Sequence, residues 1–443
     1  MKKLIIILIV LILLAFFYSC NTTEPQPPNG EKPTLELTLE DVSCIEAWLT
    51  LTTTNLELPA IIELKQFNPA GDTLTQILNL NTQDSLLYVD SLLPNQTYKF
   101  HTTIQSSNHT SNEIIVTTMD TTSHDFTFET FTFGGTTGSC TFYDVAIINE
   151  NYMIAVGSVY LTDSLGQPDP QPYGIAVWDG QNWGLKKIFH SSNIPVTPRG
   201  IFVISPNEIY LAAGSIFRWD GVSSTVQMVF SRLSLPDPNA TIEKLWGSSS
   251  SSIYGVGNAG SIVFFNGMQW HRIESGTGLN INDIWGDYNN QTGEWEILAV
   301  ASNIFSGFEK EVIKINQLNS QILSRDGIDE TLSSVWFKAN IKYYVVGSGT
   351  YKKNKLSDTI WEGNPLDITN YFENRIRAND INDVFVAGAF GELLHFNGVS
   401  WKSYLNETGL FSGAYLSIGI KNKIQIAVGY EGAQAKIIVG NRE

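Results

Sequence analysis

The chain has 443 residues, of which 43% are hydrophobic and 12% aromatic, so it can bury more than one sizeable core. Its formal net charge of −17 predicts a surface that repels phosphate backbones and anionic lipid head groups. These values argue against a nucleic-acid-binding protein and against a membrane protein held at the surface by charge.

The first residues, MKKLIIILIVLILLAFFYSC, have the layout of an export signal. Lys2 and Lys3 precede an unbroken apolar run from Leu4 to Phe17, and Ser19 is followed by Cys20. The segment resembles the signal peptide of bacterial lipoproteins, which implies removal of residues 1–19 and attachment of lipid to Cys20. A simple secretory signal and a single uncleaved membrane helix are the alternatives, although the apolar run is short for a membrane span.

A tether and a first folded domain are predicted after this cysteine. Residues 20–33 are rich in Pro, Asn and Thr, which predicts an extended tether. Residues 34–119 contain short β-branched or alternating runs between polar turns, the pattern of a sandwich of about seven strands. The LLPNQTY stretch that ends at Tyr98 resembles the L-x-P-x-x-x-Y segment of fibronectin type III domains. This resemblance implies an immunoglobulin-like sandwich with a Tyr98 hydroxyl bonded back to the chain and Trp48 as core tryptophan.

Residues 120–125 are predicted as a linker, and residues 126–443 repeat a four-strand unit. A glycine, replaced once by alanine, ends the second strand of each unit at Gly157, Gly214, Gly257, Ala301, Gly347, Gly388 and Gly429. The spacing averages about 45 residues, which is typical of a propeller blade. We therefore predict an all-β protein, a fibronectin type III sandwich followed by a seven-bladed β-propeller. The alternating stretch FTFETFTF at 126–133 is predicted to supply the outer strand of the last blade.

One glycine cluster matches a cofactor motif by spacing. Gly255, Gly257 and Gly260 fit the G-x-G-x-x-G pattern of dinucleotide-binding loops. Such a loop must open a helix that faces the pyrophosphate, but here the β-branched and aromatic run SIVFF follows at once. The stretch therefore predicts a tight hairpin between two strands, and we expect no cofactor.

Recurring aromatic residues are predicted to pack rather than to bind. A residue that returns at the same place in several repeats is more simply explained by contact between neighbouring sheets. The recurring tryptophans are Trp246, Trp285 and Trp336 in first strands and Trp183, Trp270 and Trp401 after turn glycines. Cys44 and Cys140 fall in different predicted domains, so buried thiols are expected rather than a disulfide.

A ligand site should instead interrupt the repeat, because partners usually dock on the long loops of a propeller face. The main interruptions are residues 159–174, 231–241 and 349–358. Candidate ligand-facing residues within them are Asp163, Asp169, Tyr173, Asp237 and Tyr351. No H-E-x-x-H, G-x-S-x-G or C-x-x-C motif occurs, and no metal site is predicted.

These features predict a non-catalytic, lipid-anchored protein of the cell envelope, at the outer membrane or cell surface. The lipid on Cys20 would contact the bilayer, and the propeller of a monomeric chain would bind a protein or a glycan. The alternative is a propeller glycoside hydrolase or polysaccharide lyase, which a convergence of acids in the central channel would favour. The chain resembles bacterial surface lipoproteins that pair a fibronectin type III module with a repeat propeller, which implies location and architecture but no substrate.

Overall fold

The computed structural model describes residues 32–135, 138–163, 165–191, 193–304, 307–364 and 368–443. The predicted signal peptide, Cys20 and most of the predicted tether lie outside this part of the chain. The described residues form two compact units, one running to Val42 and from Glu46 to Thr118, the other comprising Ser43–Ile45 and Met119–Glu443. Both are built from β-strands, and none of the helices in the described residues has the length and apolar character of a membrane span.

The first unit contains seven strands in two antiparallel sheets. In chain order they are β1 (Thr34–Val42), β2 (Ala47–Thr54), β3 (Ala60–Phe67), β4 (Thr73–Leu80), β5 (Asp84–Val89), β6 (Thr97–Ile104) and β7 (Ile114–Thr117). One sheet has the order β1-β2-β5 and the other β4-β3-β6-β7. Alternate apolar residues from both sheets form the core, in which Leu37, Leu49, Ile62 and Phe100 are fully buried.

Two predictions can be tested in this unit. The backbone N–H of Leu93 donates to the hydroxyl oxygen of Tyr98 at 2.9 Å, which confirms the predicted bond from the tyrosine to the preceding turn. Trp48 is fully buried, as expected of a core tryptophan, but it lies outside the cluster of apolar side chains between the two sheets. Side chains alternate along β2, and Leu49 faces the core, so Trp48 lies on the opposite face, where its ring centroid is 5.7 Å from that of Tyr88.

The second unit begins with β8 (Phe126–Gly134) and continues in four-stranded sheets. The first sheet contains β9 (Thr141–Asn149), β10 (Tyr152–Val159), β11 (Tyr173–Trp178) and β12 (Trp183–Lys186), and a small hairpin follows it, β13 (Phe189–His190) with β14 (Ile194–Pro195). The second contains β15 (Gly200–Ser205), β16 (Glu208–Ala213), β17 (Ser215–Trp219) and β18 (Gln227–Phe230), followed by a 3₁₀ turn at Arg232–Ser234. The third contains β19 (Lys244–Ser249), β20 (Ser252–Val256), β21 (Ser261–Phe265) and β22 (Trp270–Glu274).

The remaining four sheets repeat this arrangement. The fourth contains β23 (Ile281–Asn289), β24 (Glu294–Ser302), β25 (Lys310–Asn316) and β26 (Asn319–Ile322), and the fifth β27 (Leu332–Lys338), β28 (Lys342–Gly347), β29 (Gly349–Lys353) and β30 (Glu362–Asn364). The sixth contains β31 (Glu373–Asp380), β32 (Asp383–Gly388), β33 (Leu393–Phe396) and β34 (Trp401–Ser403), and the short helix α1 (Leu405–Thr408) follows it. The seventh joins β35 (Gly413–Lys421), β36 (Ile424–Glu431) and β37 (Gln434–Arg442) to β8.

The seven sheets are the blades of a closed ring. The first strand of each sheet contacts the first strand of the next, from β9 and β15 through to β31 and β35, and β35 contacts β9 in turn. First strands are therefore innermost. β8 pairs antiparallel with β37, from Phe126 opposite Arg442 to Gly134 opposite Gln434, which confirms that residues 126–133 complete the last blade.

The segment predicted as a linker lies within the second unit. His124 Nδ1 is 2.8 Å from Nδ1 of His395, which stands in β33 of the sixth blade. The hydroxyl of Tyr404 donates to the carbonyl of His124 at 2.7 Å. Residues just ahead of β8 are thus held against the blade that precedes the closing sheet.

The glycine cluster at residues 255–260 forms a hairpin, as predicted. Residues 257–260 join β20 to β21, and Ala259 and Gly260 have φ angles of +53° and +66°. A Cβ atom on Gly260 would lie 1.9 Å from the carbonyl oxygen of Thr277. Glycine is therefore required at this position by both the backbone angle and the close approach of another segment.

The recurring tryptophans pack between strands and blades, as predicted. Trp183, Trp270 and Trp401 each lie opposite an aromatic residue of the neighbouring strand, with ring centroids 5.2 to 5.6 Å apart; the partners are Trp178, Phe265 and Phe396. Trp285 donates its indole N–H to the carbonyl of Phe337 on the next blade at 3.2 Å, and Trp246 and Trp336 are buried. Cys44 and Cys140 are both buried thiols.

Candidate functional site

Strand direction places three kinds of segment on one face of the ring, which we call the loop face. They are the start of each first strand, the connection between second and third strands, and the connection to the next blade, because strands in a blade alternate in direction. Asp163 and Asp169 stand between β10 and β11, and Asp237 stands between the second and third blades. Three of the predicted residues therefore share the loop face.

Two of the three predicted residues of the first blade, Asp169 and Tyr173, form one small cluster with Lys187. Lys187 makes an ion pair with Asp169, and its ammonium lies 5.0 Å from the ring centroid of Tyr173. The hydrogen bond from Lys187, followed by one from the backbone N–H of Gln171, lowers the pKa of Asp169. Asp163 stands apart and accepts backbone N–H bonds within its own loop, from Leu165 and Gln167.

Asp237 also acts within its own loop, where it accepts the N–H of Asn239 at 2.7 Å. The assignment of Tyr351 to a loop is wrong. Gly349–Lys353 is strand β29, and the Tyr351 side chain is fully buried in the core of the fifth blade with Trp361. Gly347 pairs directly with Gly349, so the chain turns within one residue and the strand resumes where the glycines and lysines predicted a loop.

A cavity of 280 Å³ opens on the loop face where the first strands converge. All seven blades contribute residues at or next to the start of their first strands: Tyr143, Arg199, Lys244, Asn282, Ser333, Arg375 and Leu416. This cavity is the mouth of the central channel, and we call it the channel mouth.

Ion pairs fill the channel beside this mouth. Lys244 Nζ lies 3.1 Å from the carboxylate of Asp144, which also accepts the Ser417 hydroxyl at 2.6 Å. Burial raises the pKa of Asp144, but the charges of Lys244 and Arg375 outweigh it and hold the pKa below its usual value. Asp144 is therefore ionised at neutral pH.

A second carboxylate in the channel is shared by two arginines. Asp283 is fully buried and accepts both amino groups of Arg377 at 2.9 Å each, while Arg375 contacts the same carboxylate. The two guanidinium charges outweigh the desolvation of Asp283 and lower its pKa. One carboxylate thus faces two cations, and this part of the channel carries an excess positive charge.

The excess charge is accompanied by a donor with no acceptor. Arg375 Nε is buried, and within the described residues it has no hydrogen-bond partner. The side chain of Arg375 is 4% exposed and lines the channel mouth. Burial, and next to it the charge of Arg375, lowers the pKa of the neighbouring Lys244 to about 8.

A groove of 570 Å³ adjoins the channel mouth between the second and third blades. The two cavities share Arg199, Glu243 and Asn258. One wall of the groove is apolar and is formed by Ile194, Pro195, Val196, Phe217 and Met228. Three buried polar atoms in its lining have no hydrogen-bond partner within the described part of the chain: His190 Nδ1, Thr241 Oγ1 and Glu243 Oε2.

Exposed apolar side chains surround these cavities on the loop face. They stand in connections between strands or blades: Leu165, Ile194, Leu233, Phe308, Phe390 and Phe411. Phe411 is 94% exposed. Large apolar side chains on the surface that carries the cavities are typical of a protein-binding face.

A pair of buried acids lies elsewhere in the ring. Glu373 accepts the hydroxyl of Thr350 at 2.7 Å, and Glu392 accepts that of Thr369 at 2.7 Å. Burial raises the pKa of Glu373 to about 8, the Thr350 hydrogen bond opposes this, and the charge of Glu392 adds to it. Neither acid lines the channel mouth or the groove, and both are almost fully buried. Among the residues that the structure describes, no cluster of three or more His, Cys, Asp or Glu side chains could hold a metal ion.

The channel residues were missed by sequence reasoning, although a signal was present. Two residues before Trp246, Trp285 and Trp336, and at the equivalent register positions of the other first strands, six of the seven blades carry a polar or charged residue. These residues are Asp144, Lys244, Asp283, Ser334, Arg375 and Ser417, and Gly200 stands in the second blade. Charge at a recurring inward position in place of an apolar residue indicates a polar channel.

Comparisons with known proteins bear on the fold. No family profile and no curated protein matches the sequence. Among solved structures, YCF48 bound to a D1 peptide is 15% identical with a TM-score of 0.53, covering 73% of this chain and all of that one. The second unit has a propeller fold. Two further structures also match. YCF48 from Cyanidioschyzon merolae is 13% identical with a TM-score of 0.49, covering 71% of this chain and 98% of that one. The WD40 propeller domain of Doa1 is 8% identical with a TM-score of 0.49, covering 70% of this chain and 95% of that one.

Proposed function

We propose that the protein is a non-catalytic binding module of the cell envelope whose propeller takes an extended segment of a partner protein on its loop face. The observation that carries this proposal is the junction of the channel mouth and the groove at Arg199, Glu243 and Asn258. Buried polar atoms without partners line both cavities, and a bound backbone would supply the donors and acceptors they lack.

The lining favours a peptide over a glycan. Ile194, Val196, Phe217 and Met228 form an aliphatic and aromatic wall of the kind that receives apolar side chains. Sugar rings are better held by exposed aromatic faces, which this wall does not offer. That YCF48, a protein of the same fold, was solved with a D1 peptide supports a peptide ligand for the propeller.

The state of the channel acids supports a binding role over hydrolase or lyase chemistry. A general acid needs a carboxyl that is protonated near the working pH. Asp144 and Asp283 are instead ion-paired with Lys244, Arg375 and Arg377, and their pKa values are lowered. Glu373 has a raised pKa but is almost fully buried away from both cavities.

The proposal places the protein on a membrane through lipid at Cys20, with the first unit as a stalk and the chain as a monomer. The strand orders β1-β2-β5 and β4-β3-β6-β7, together with the bond between Leu93 and Tyr98, support a fibronectin type III assignment for this unit. Labelling with radioactive palmitate and membrane fractionation of the wild type and Cys20→Ser test the anchor. Label and membrane association should both be lost in the variant; retention of either in Cys20→Ser contradicts a lipid anchor there.

The peptide-binding proposal is tested by selecting a displayed library of random peptides on the full-length chain. Enriched peptides should lose binding when Met228→Asp places a charge in the groove. Met268→Asp is the matched control, because Met268 is 87% exposed in the β21–β22 turn on the opposite face. Failure to enrich any peptide, or equal loss in both variants, would overturn the proposal. If no peptide is enriched but the chain binds to a glycan array, the ligand of the propeller is a glycan and not a peptide.

A further inference from the structure

We infer that the channel mouth is a carboxylate-binding subsite anchored by Arg375. This inference rests on the proposed function and deepens it, because it names the group that the bound peptide places in the channel. That group is a single carboxylate, supplied by an Asp or Glu side chain or by the C-terminus of the peptide.

The charges in the channel do not balance. Lys244 and Asp144 neutralise each other at 3.1 Å. Arg377 makes a bidentate hydrogen bond to Asp283 and balances its charge. The guanidinium of Arg375 contacts the same carboxylate and is therefore a second cation beside one negative charge. Three largely buried cations thus face two carboxylates, and an incoming anion would balance the excess charge.

Arg375 also carries an unused hydrogen-bond donor. Arg375 Nε has no hydrogen-bond partner among the described residues, and the side chain lines a cavity that is open on the loop face. A guanidinium binds a carboxylate through two parallel N–H donors, and Nε–H is commonly one of them. The cavity volume of 280 Å³ admits such a group.

The remaining charges at the mouth select the type of anion. Arg199 and Glu243 both line it and lie 3.7 Å apart, so their charges cancel. The uncompensated charge is therefore that of one cation. One positive charge matches a carboxylate better than a phosphate dianion or a polyanion, and the acidic surface of the chain disfavours polyanions further.

The groove then fixes the direction of the peptide. Residues shared by the two cavities connect Arg375 to the apolar wall, so a carboxylate in the channel places neighbouring apolar side chains against Phe217 and Met228. The recognised feature is an acidic group next to apolar residues.

The first experiment uses a probe that does not depend on a selected peptide. The Nε–H signals of full-length chain carrying isotope-labelled arginine are followed by NMR during titration with sodium acetate, with sodium chloride at equal ionic strength as the reference. We expect acetate, and not chloride, to shift the Arg375 signal, which is assigned by its absence in Arg375→Lys. A signal that responds equally to both salts, or to neither, overturns the inference.

The second experiment uses the selected peptides. Amidation of the chain end and, separately, replacement of Asp or Glu by its amide distinguish the two sources of the carboxylate, and one of the two should weaken binding about tenfold or more. Arg199→Gln, at the exposed rim, should weaken binding about threefold, whereas Arg272→Gln on the outer strand β22 should not. If neither change of a carboxylate weakens binding, the inferred carboxylate subsite is wrong, whereas the proposed function is unaffected.

Discussion

Lys244 Nζ and the Asp144 carboxylate lie 3.1 Å apart, although the two residues belong to the third and the first blades. The second blade places Gly200 at the corresponding position of its first strand. A Cβ atom there would lie 2.4 Å from the carbonyl oxygen of Glu243. Gly200 therefore allows the inner strands of the second and third blades to approach closely. Across it, the first and third blades form the ion pair between Asp144 and Lys244.

Removal of one member of this pair should be more harmful than removal of both. Lys244→Met leaves Asp144 charged and buried, and should lower the free energy of unfolding by about 3 kcal/mol. The double variant Asp144→Leu with Lys244→Met should recover most of that loss, because neither member of this pair is left without the other. Urea denaturation of the three proteins measures both effects. A single variant as stable as the wild type would show that the pair is solvated.

The raised pKa of Glu373 predicts a pH dependence of stability. The native state holds this proton up to about pH 8, whereas the unfolded chain releases it near pH 4.5, the ordinary pKa of a glutamate. The free energy of unfolding should therefore fall as the pH rises between these values. Glu373→Gln should be more stable than the wild type at pH 8, by roughly 2 kcal/mol, and should lose this part of the pH dependence.

Thermal melting at a series of pH values compares Glu373→Gln with the wild type. Glu407→Gln is the control, because Glu407 lies exposed on α1. Identical pH profiles for wild type and Glu373→Gln would exclude a buried neutral carboxyl.

Closure of the ring by β8 predicts the effect of a cross-link. Thr127 and Asn441 are exposed and directly opposite each other in β8 and β37. A disulfide between Thr127→Cys and Asn441→Cys should stabilise the protein by about 2 to 4 kcal/mol, since it closes a long loop of the unfolded chain. Thermal melting with and without reductant measures the gain. The single-cysteine variants should show none, and a cross-linked protein with an unchanged melting point would contradict pairing of these strands.

The hydrogen bond at Tyr98 predicts a small effect in the first unit. Tyr98→Phe keeps the ring and removes the acceptor of the Leu93 N–H, so the free energy of unfolding should fall by about 1 kcal/mol. Denaturation followed by hydrogen exchange of the backbone amides in β1–β7 reports on this unit. Tyr88→Phe is the comparison, because it removes a hydroxyl that donates to Glu46 at 2.6 Å on the other face of its strand.

The periodic parts of the fold were predictable because each has a local cause. Repeated glycines mark the same turns, and the alternation in FTFETFTF marks a strand with one buried face, so the closing pair β8 and β37 followed from the pattern. The burial of Trp48 was predictable, but a tryptophan in a strand does not indicate which face of the strand packs against the opposite sheet. Tyr351 was misplaced because a one-residue turn between Gly347 and Gly349 looks like the start of a loop.

The candidate site was not predictable by the same reasoning. Lys244 and Arg375 are 131 positions apart, and only closure of the ring brings them to one channel mouth. The search for interruptions of the repeat pointed to the loop face but selected Asp163 and Asp237, which bond within their own loops. The channel residues stand inside the repeat, where the pattern predicted packing.

The pairing of β8 with β37 also has a consequence for synthesis. Thr132 and Lys436, which are joined by a hydrogen bond across this pair, are 304 residues apart. During translation β8 is synthesised long before β37, so the edge of β8 that pairs with β37 stays open until β37 has been made. An incompletely synthesised propeller therefore exposes a strand edge that can pair with another chain.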